Sequence, residues 1–464
     1  MPESRLKPIV IVTYSFAPET HAAMFRMFKL AKYLPRHGYR PIVVRPDTNY
    51  LYKEDPSLLD ELPPEVEIVK ARYVEPTLRG LRMALGGEDL TYKAVRARQK
   101  DGGATSSEAG ASRGQGAAGG LLGPLRGPVA KAYRTALETI VHSPDPYWTW
   151  RRPATEAAWS AAQRSGARLV LTCTQPFTTL AIGRDLQERG LRWVADFRDP
   201  LPLGRKFMSS VPSVHEAQQK LVRLAVEEAD HLTALTSVHP MLLHDFFGHA
   251  GRTGMSFITT GIDEAYIPAP APDGAGGEEP YLIHVGELHR AYGTSFLDVF
   301  ERVRREEEAA GRRLRLRLIG SLDINSRVIA PEIASRGLAP YVDLVEHQNQ
   351  REVYRQIRGA RAAVLLPGKF AHWWNSFAKL VDYIGLRVPV LADVPDPSEA
   401  RKQLTRSGLG VFLDGTIDEQ VETCRAFLQG RVPVRPVEAV CNEYLADAQV
   451  TAFARVFDEV LGRP

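Results

Sequence analysis

Several short stretches of this 464-residue chain place ionisable residues where chemistry could be done. Ala195-Asp196-Phe197-Arg198-Asp199-Pro200 puts two carboxylates and a guanidinium directly after the apolar run Trp193-Val194-Ala195. Carboxylates there suit the orientation of hydroxyls or the removal of a proton, while the same Asp-Arg-Asp cluster also suits a helix cap and a loop brace. Gly286-Glu287-Leu288-His289-Arg290-Ala291-Tyr292-Gly293 follows another apolar run. Its first glycine permits close backbone approach and Arg290 offers a planar fork of donors to a diphosphate, although a Gly-Arg turn is also an ordinary loop. Lys379 and Asp382 fall three residues apart, on one face of the helix expected there. A cation for a diphosphate and a carboxylate for a ribose diol suit a nucleotide; taken alone, the pair reads as a solvated surface contact. His21 stands at the start of the first expected helix, as a catalytic or substrate-orienting group or as a helix cap.

Such residues act only if a scaffold holds them. Pro8-Ile9-Val10-Ile11-Val12-Thr13-Tyr14 is apolar and β-branched without alternation, as a strand buried on both faces of a parallel sheet must be. After the turn Ala17-Pro18-Glu19-Thr20, Met24, Met27, Phe28, Ala31 and Leu34 recur at helical spacing. Gly38 ends that helix and Pro41-Ile42-Val43-Val44 begins a second strand, which makes a βαβ unit. The alternation resumes with strands expected at 167–172, 192–197, 232–235 and 256–258, so one doubly wound domain is expected over residues 1–267. Strands expected at 281–285, 314–319, 342–345, 362–366, 388–391 and 410–413, separated by helical stretches, describe a second Rossmann-like domain over 281–435. The segment 436–464 carries a last helix, expected to pack back on the first domain.

Two composition breaks interrupt this pattern. Residues 101–127 are dominated by Gly, Ala and Ser and bury too little apolar surface to offset their ordering entropy, so a disordered loop is expected. Arg79, Arg82, Lys93, Arg96, Arg98 and Lys100 precede it, and Arg126, Lys131 and Arg134 follow. A solvated loop is the preferred reading, with contact to an anionic membrane surface as the alternative. Pro268-Ala269-Pro270-Ala271-Pro272 opens an interdomain linker over 268–280.

Composition bounds the rest. With 59 Lys and Arg against 55 Asp and Glu, the net charge of +4 gives no argument for a nucleic-acid partner. Cys173, Cys424 and Cys441 are too scattered for a disulfide framework or a metal knot. The N-terminus runs straight into an expected strand, so no signal peptide is expected, and no apolar run approaches the roughly 20 residues of a membrane span. A cytoplasmic location is expected, with the inner membrane face as a peripheral variant. Trp148 and Trp150, beside Tyr147 and before Arg151 and Arg152, are expected to pack in the core, with a sugar-stacking platform as the alternative.

At these residues the chain resembles glycosyltransferase family 4 with the GT-B fold, in its branch carrying an Asp-Phe-Arg-Asp-Pro motif. The resemblance spans nearly the whole chain. It rests on Tyr14-Ser15-Phe16-Ala17-Pro18-Glu19 with Arg26, Ala195 to Pro200, Ile258-Thr259-Thr260-Gly261-Ile262-Asp263, Gly286 to Gly293, and Lys379-Leu380-Val381-Asp382-Tyr383. It implies an α/β chain of two Rossmann-like doubly wound domains facing each other across a cleft. It further implies hexosyltransferase-like transfer from a nucleotide-sugar donor to a glycan, glycolipid or metabolite acceptor, with retention at the anomeric carbon and without a metal or other cofactor. On the matched positions Arg290 and Lys379 would neutralise the leaving diphosphate and Asp382 would hold the donor ribose, with Gly286 and Ser376 beside them. In the first domain Asp196, Asp199 and His21 are expected to be catalytic, and Glu19, Arg26 and Arg198 to bind substrate.

Three positions depart from the family pattern. Trp374 stands where the first acid of the family's Glu-x7-Glu signature falls, Ala22-Ala23 replaces a glycine pair, and Glu287 replaces an arginine. A hydrolysing nucleotide-sugar epimerase of the same fold is the alternative enzyme, and a non-catalytic GT-B binding or assembly subunit is the alternative that Trp374 motivates. No Gly-x-Gly-x-x-Gly follows an expected strand, which argues against an oxidoreductase.

Overall fold

The computed structural model describes residues 6–21, 23–86, 89, 91, 143–199, 208–238, 254–269, 279–288, 293–366, 373, 374 and 376–463. The expected loop 101–127, most of the basic residues around it, and Arg290 lie outside the described residues. The chain forms two compact units, Met1–Ile258 with Val450–Pro464, and Thr259–Gln449.

The first unit is a parallel sheet of β1 (Lys7–Val12), β2 (Tyr39–Pro46), β3 (Glu67–Ala71), β4 (Leu169–Thr174), β5 (Arg192–Phe197), β6 (His231–Ala234) and β7 (Gly254–Phe257). The strand order is β3-β2-β1-β4-β5-β6-β7, so the winding reverses between β1 and β4. The accompanying helices are α1 (Met24–Tyr33), α2 (Ser57–Asp60), α3 (Leu78–Ala84), α4 (Arg151–Ser165), α5 (Thr178–Glu188) and α6 (Pro212–Glu228). Ile9, Val10, Ile11 and Val12 are all inaccessible, which demands cover on both faces of β1 and explains its unbroken apolar run. Trp150 and Trp193 are also fully buried, and Trp150 packs edge-on to Tyr14; Trp148 is exposed. The edge strand β3 has no such signature. Its sequence Glu-Ile-Val-Lys-Ala is half exposed, and Glu67 pairs with Arg40 and Arg164. At the start of α5 the buried Asp145 accepts the Thr178 N–H at 2.8 Å and its hydroxyl at 2.6 Å, satisfying a terminal donor that Phe177 does not cap.

The second unit is a parallel sheet of β8 (Tyr281–Val285), β9 (Arg315–Ile319), β10 (Val342–Val345), β11 (Ala362–Leu365), β12 (Val390–Ala392) and β13 (Gly410–Phe412), ordered β10-β9-β8-β11-β12-β13. Its winding reverses between β8 and β11. Helices α7 (Phe296–Ala309), α8 (Leu322–Ser335), α9 (Gln350–Gly359), α10 (Ala378–Gly385), α11 (Glu399–Ser407), α12 (Ile417–Leu428) and α13 (Glu438–Asn442) alternate with or follow these strands. Ser321, Asn349, Ser398 and Thr416 cap four of them, each accepting an N–H three residues on.

The division of the chain differs from the expected one at residues 259–267 and 436–449, both of which belong to the second unit. Ile262, Cys441 and Tyr444 are buried in its core, and Ile262 N–H donates to the Tyr444 carbonyl at 2.7 Å. The helix α14 (Ala446–Gly462) begins in this unit, and from Val450 onward its residues belong to the first. There the Phe457 ring meets Tyr39 at 5.4 Å, and Asp458 accepts from the Tyr39 hydroxyl at 2.8 Å.

Candidate functional site

In a parallel sheet, the loops leaving the carboxyl ends of strands at a winding reversal are the places a ligand can reach. Both units put ionisable residues there.

In the first unit Arg26, in the first turn of α1, reaches across to Asp196 near the end of β5. Two parallel bonds join them, Nε to Oδ2 at 2.9 Å and Nη2 to Oδ1 at 2.8 Å. Thr233 on β6 donates to Oδ1 at 2.7 Å, and the Cys173 thiol lies 3.7 Å from Oδ2. The two side chains are 3% and 0% exposed. This corrects the expectation that Asp196 is catalytic and Arg26 binds substrate: a carboxylate closed off from solvent, with both oxygens occupied, has no face for a ligand. Arg198 is also a brace. Its guanidinium donates to the carbonyls of Thr174 at 3.1 Å, Gln175 at 2.8 Å and Ala23 at 3.1 Å, tying the loop after β4 to the start of α1. Asp199, the next residue, is half-buried.

Beside this framework stands a polar line that begins inside the protein. Glu19 is 2% exposed, which corrects its expected direct contact with substrate. Its Oε2 accepts from the Ser15 hydroxyl at 3.2 Å, and its Oε1 lies 3.9 Å from Arg45 Nη1. Burial pushes the Glu19 carboxyl up to about 7, against the pull of Arg45 and Ser15 and with a further push from Glu54. The Ser15 hydroxyl also meets Nε2 of His21. The His21 ring stacks on Tyr52 at 3.9 Å and 17°, and burial, with Arg198 nearby, lowers its pKa to about 4. At neutral pH this imidazole is uncharged.

In the second unit β8 ends at Gly286, whose φ of +101° admits a side chain only with strain. A Cβ there would also stand 3.4 Å from Lys379 Nζ. Asn325 on α8 holds this turn, accepting the Leu288 N–H at 2.8 Å and donating to the Gly286 carbonyl at 3.4 Å. Lys379, in the first turn of α10, donates to Nε2 of His284 at 2.9 Å. His284 Nδ1 faces the Val364 carbonyl at 2.9 Å, and a carbonyl only accepts, so the proton sits on Nδ1 and Nε2 is free to receive the lysine. Burial, then the neighbouring Lys379, drives the His284 pKa well below the ordinary value, consistent with a neutral ring. Burial likewise lowers Lys379 to about 8, with Glu287 opposing. Tyr383 accepts the Val285 N–H at 3.0 Å and so registers α10 against the end of β8.

Asp382 lies one turn beyond Lys379, half-buried, and accepts from the Tyr354 hydroxyl at 3.0 Å. Ser376 shares a 3.3 Å hydrogen bond with Gln403, whose amide donates to the buried Glu399 at 3.1 Å. Trp374 is buried, and the Trp373 carbonyl accepts the Glu399 N–H at 2.7 Å. The structure thus brings Gly286 and Lys379 together, with Asp382 on the same short helix. His284, Tyr354, Ser15 and Tyr52 were not singled out in the sequence. His284 had a visible signal, a histidine inside the apolar run Tyr-Leu-Ile-His-Val just before Gly286. Among the described residues no group of three His, Cys, Asp or Glu side chains is placed to hold a metal ion, and no helix is long and apolar enough to cross a membrane.

Two doubly wound α/β units with parallel sheets of seven and six strands define the GT-B fold. Solved structures with this architecture match end to end. Sucrose-phosphate synthase of Thermosynechococcus elongatus is 13% identical over 98% of this chain and 99% of that one, with a TM-score of 0.59. A putative UDP-N-acetylglucosamine 2-epimerase of Listeria monocytogenes is 11% identical over 98% and 97%, at 0.56. WaaG, a glycosyltransferase involved in lipopolysaccharide biosynthesis, is 12% identical over 98% and 100%, at 0.53. No protein-family model and no curated protein matches the chain by sequence.

Proposed function

We propose that this chain is a glycosyltransferase that moves a hexose from a nucleotide-sugar donor to a hydroxyl of a glycan, glycolipid or small metabolite, with retention and without a cofactor. The observation that carries the reading is Lys379, a half-buried ammonium held by the neutral His284 beside a side-chain-free Gly286 at the winding reversal of the second unit. An amine there counters the charge of a leaving diphosphate, and the first turn of α10 adds partial positive charge from its open N–H groups. Arg290 supplies a second cation to the same diphosphate. Asp382, steadied by Tyr354, takes the ribose diol, and Ser376 contacts the donor from the adjoining turn. In the first unit Asp199 and His21 face the acceptor, with Arg198 fixing their loops.

The test is turnover of UDP-, GDP- and TDP-sugars with a panel of hydroxyl acceptors, read as release of the nucleoside diphosphate. Release that requires an acceptor, and that is lost in Lys379→Ala, supports transfer. Following the anomeric and C2 protons of the donor by NMR without acceptor separates the epimerase reading, which the fold of one similar structure keeps in view. Conversion of donor alone would replace transfer by epimerisation.

A further inference from the structure

An ammonium set into a half-buried corner needs an acceptor, because burial favours the amine over its charged form. The acceptor beside Lys379 is Nε2 of His284, at 2.9 Å, on a ring that is 1% exposed. A carboxylate in that place would cancel the positive charge and compete with an anion for it. A neutral imidazole takes one of the three N–H bonds of the ammonium and leaves the whole charge to a ligand.

The ring is held so that it can only accept. β8 and β11 pair Leu282 with Ala362 and Ile283 with Ala363, and at the next residue the His284 side chain donates from Nδ1 to the Val364 carbonyl at 2.9 Å. That bond keeps the hydrogen on Nδ1 and the lone pair on Nε2. The same Lys379 Nζ lies beside Gly286, where a Cβ would stand 3.4 Å away, so ring and turn meet at this one ammonium. We propose that His284 is a positioning residue: a neutral acceptor, locked in one tautomer by the Val364 carbonyl, which keeps Lys379 charged and aimed at the Gly286 turn to receive an anion. The proposal rests on the reading that Lys379 meets the donor's diphosphate, and adds to it the residue that sets the pH range over which the site can do so.

Among the described residues the charged and titratable groups around Lys379 are His284 on β8, Glu287 in the turn after it, and Asp382 and Tyr383 on α10 itself. Burial lowers the lysine to about 8 and Glu287 opposes the fall. Without the imidazole the ammonium loses a charge-assisted hydrogen bond while it stays buried, so its proton should leave at lower pH.

Magnetic resonance spectra of the full chain, with histidine isotope-labelled at the ring nitrogens and lysine at Cε, read this arrangement without any nucleotide. His284→Phe and Lys379→Arg assign the signals. His284 is expected to stay neutral with its hydrogen on Nδ1, and its Nε2 resonance to move as Lys379 loses its proton near pH 8. In His284→Phe the Lys379 midpoint should fall by roughly one to two pH units, the weight of one hydrogen bond to a charged group. His284→Gln places an amide oxygen within reach of the ammonium and should return the midpoint toward that of the unsubstituted chain. A hydrogen on Nε2, a ring indifferent to the lysine's titration, or an unmoved midpoint in His284→Phe would overturn the proposal. The first two are read on the unsubstituted chain, so they decide even where a variant fails to fold. Calorimetry with UDP, GDP and TDP then reads the same lysine through its ligand: His284→Phe should bind nucleotide roughly tenfold more weakly at about pH 8, with the gap closing toward about pH 6. An equal loss at both pH values would make His284 a packing residue and overturn its positioning role. Binding of none of the three would remove the diphosphate reading, while the spectra would still decide what His284 does to Lys379.

Discussion

At the scale of single residues, the chain uses its buried charges in two ways. Arg26 and Asp196 neutralise each other, and removing one partner leaves the other uncompensated in a dry interior. Arg26→Ala should therefore cost about 3–5 kcal/mol, read as a shift in denaturant midpoint. Glu19 is held more loosely, with the Ser15 hydroxyl at 3.2 Å and Arg45 at 3.9 Å among the described residues. Its folded pKa of about 7 lies above the ordinary 4.5, so between those values the folded chain holds a proton that the unfolded chain has lost. Its contribution to stability is intact below pH 4.5 and falls as pH rises through 7. Glu19→Gln should leave stability unchanged in acid and raise it at pH above 7 by up to about 3 kcal/mol. Equal stabilisation at all pH values would show that the carboxyl is not the buried acid described. Lys379 gives the opposite sign for a ligand. Its pKa of about 8 should rise when a diphosphate binds, so nucleotide affinity should fall as pH rises through 8, with proton uptake measurable by calorimetry in buffers of differing ionisation enthalpy.

At the scale of elements, the strands that carry the site were legible and the contacts between elements were not. Mostly apolar runs at 281–285 and 192–197 announce buried parallel strands, and the structure has strands over those residues. The edge strand β3 was missed because four of its five residues are at least partly exposed and two carry charge. Residues 259–267 were assigned to the wrong unit because their partners, Tyr444 and Leu445, stand far along the chain. Gly261 has to be glycine there, since a Cβ would fall 2.2 Å from the Leu445 backbone. Gly261→Ala should break the bridge between Ile262 and Leu445 and destabilise the second unit by about 2–3 kcal/mol, with hydrogen exchange at Ile262 and Ala446 reporting the loss. At the site, helical spacing correctly put Lys379 and Asp382 on one short helix, and strand-end position put Asp199 in the loop after β5. It overstated Asp196, whose place one residue inside the strand turns its side chain into the core instead of the loop. Residue type alone could not show that, because a carboxylate pairing with Arg26, 170 positions away, reads in sequence like one awaiting a substrate.

At the scale of the whole molecule, one design occurs twice. Each unit winds outward from a central strand, β1 or β8, and each carries its polar side chains on the loops where the winding reverses. The first unit offers a neutral imidazole backed by a buried acid; the second offers an ammonium backed by a neutral imidazole. The ammonium of the second unit is the group proposed to meet an anion. The anion site is the claim on which the rest depends. Isothermal titration with UDP, GDP and TDP, on the intact chain and on Lys379→Ala, measures it. The account predicts binding of at least one nucleotide, weakened about tenfold or more, or about 1.4 kcal/mol, by the substitution. Binding of none, or binding that is indifferent to Lys379, would contradict it.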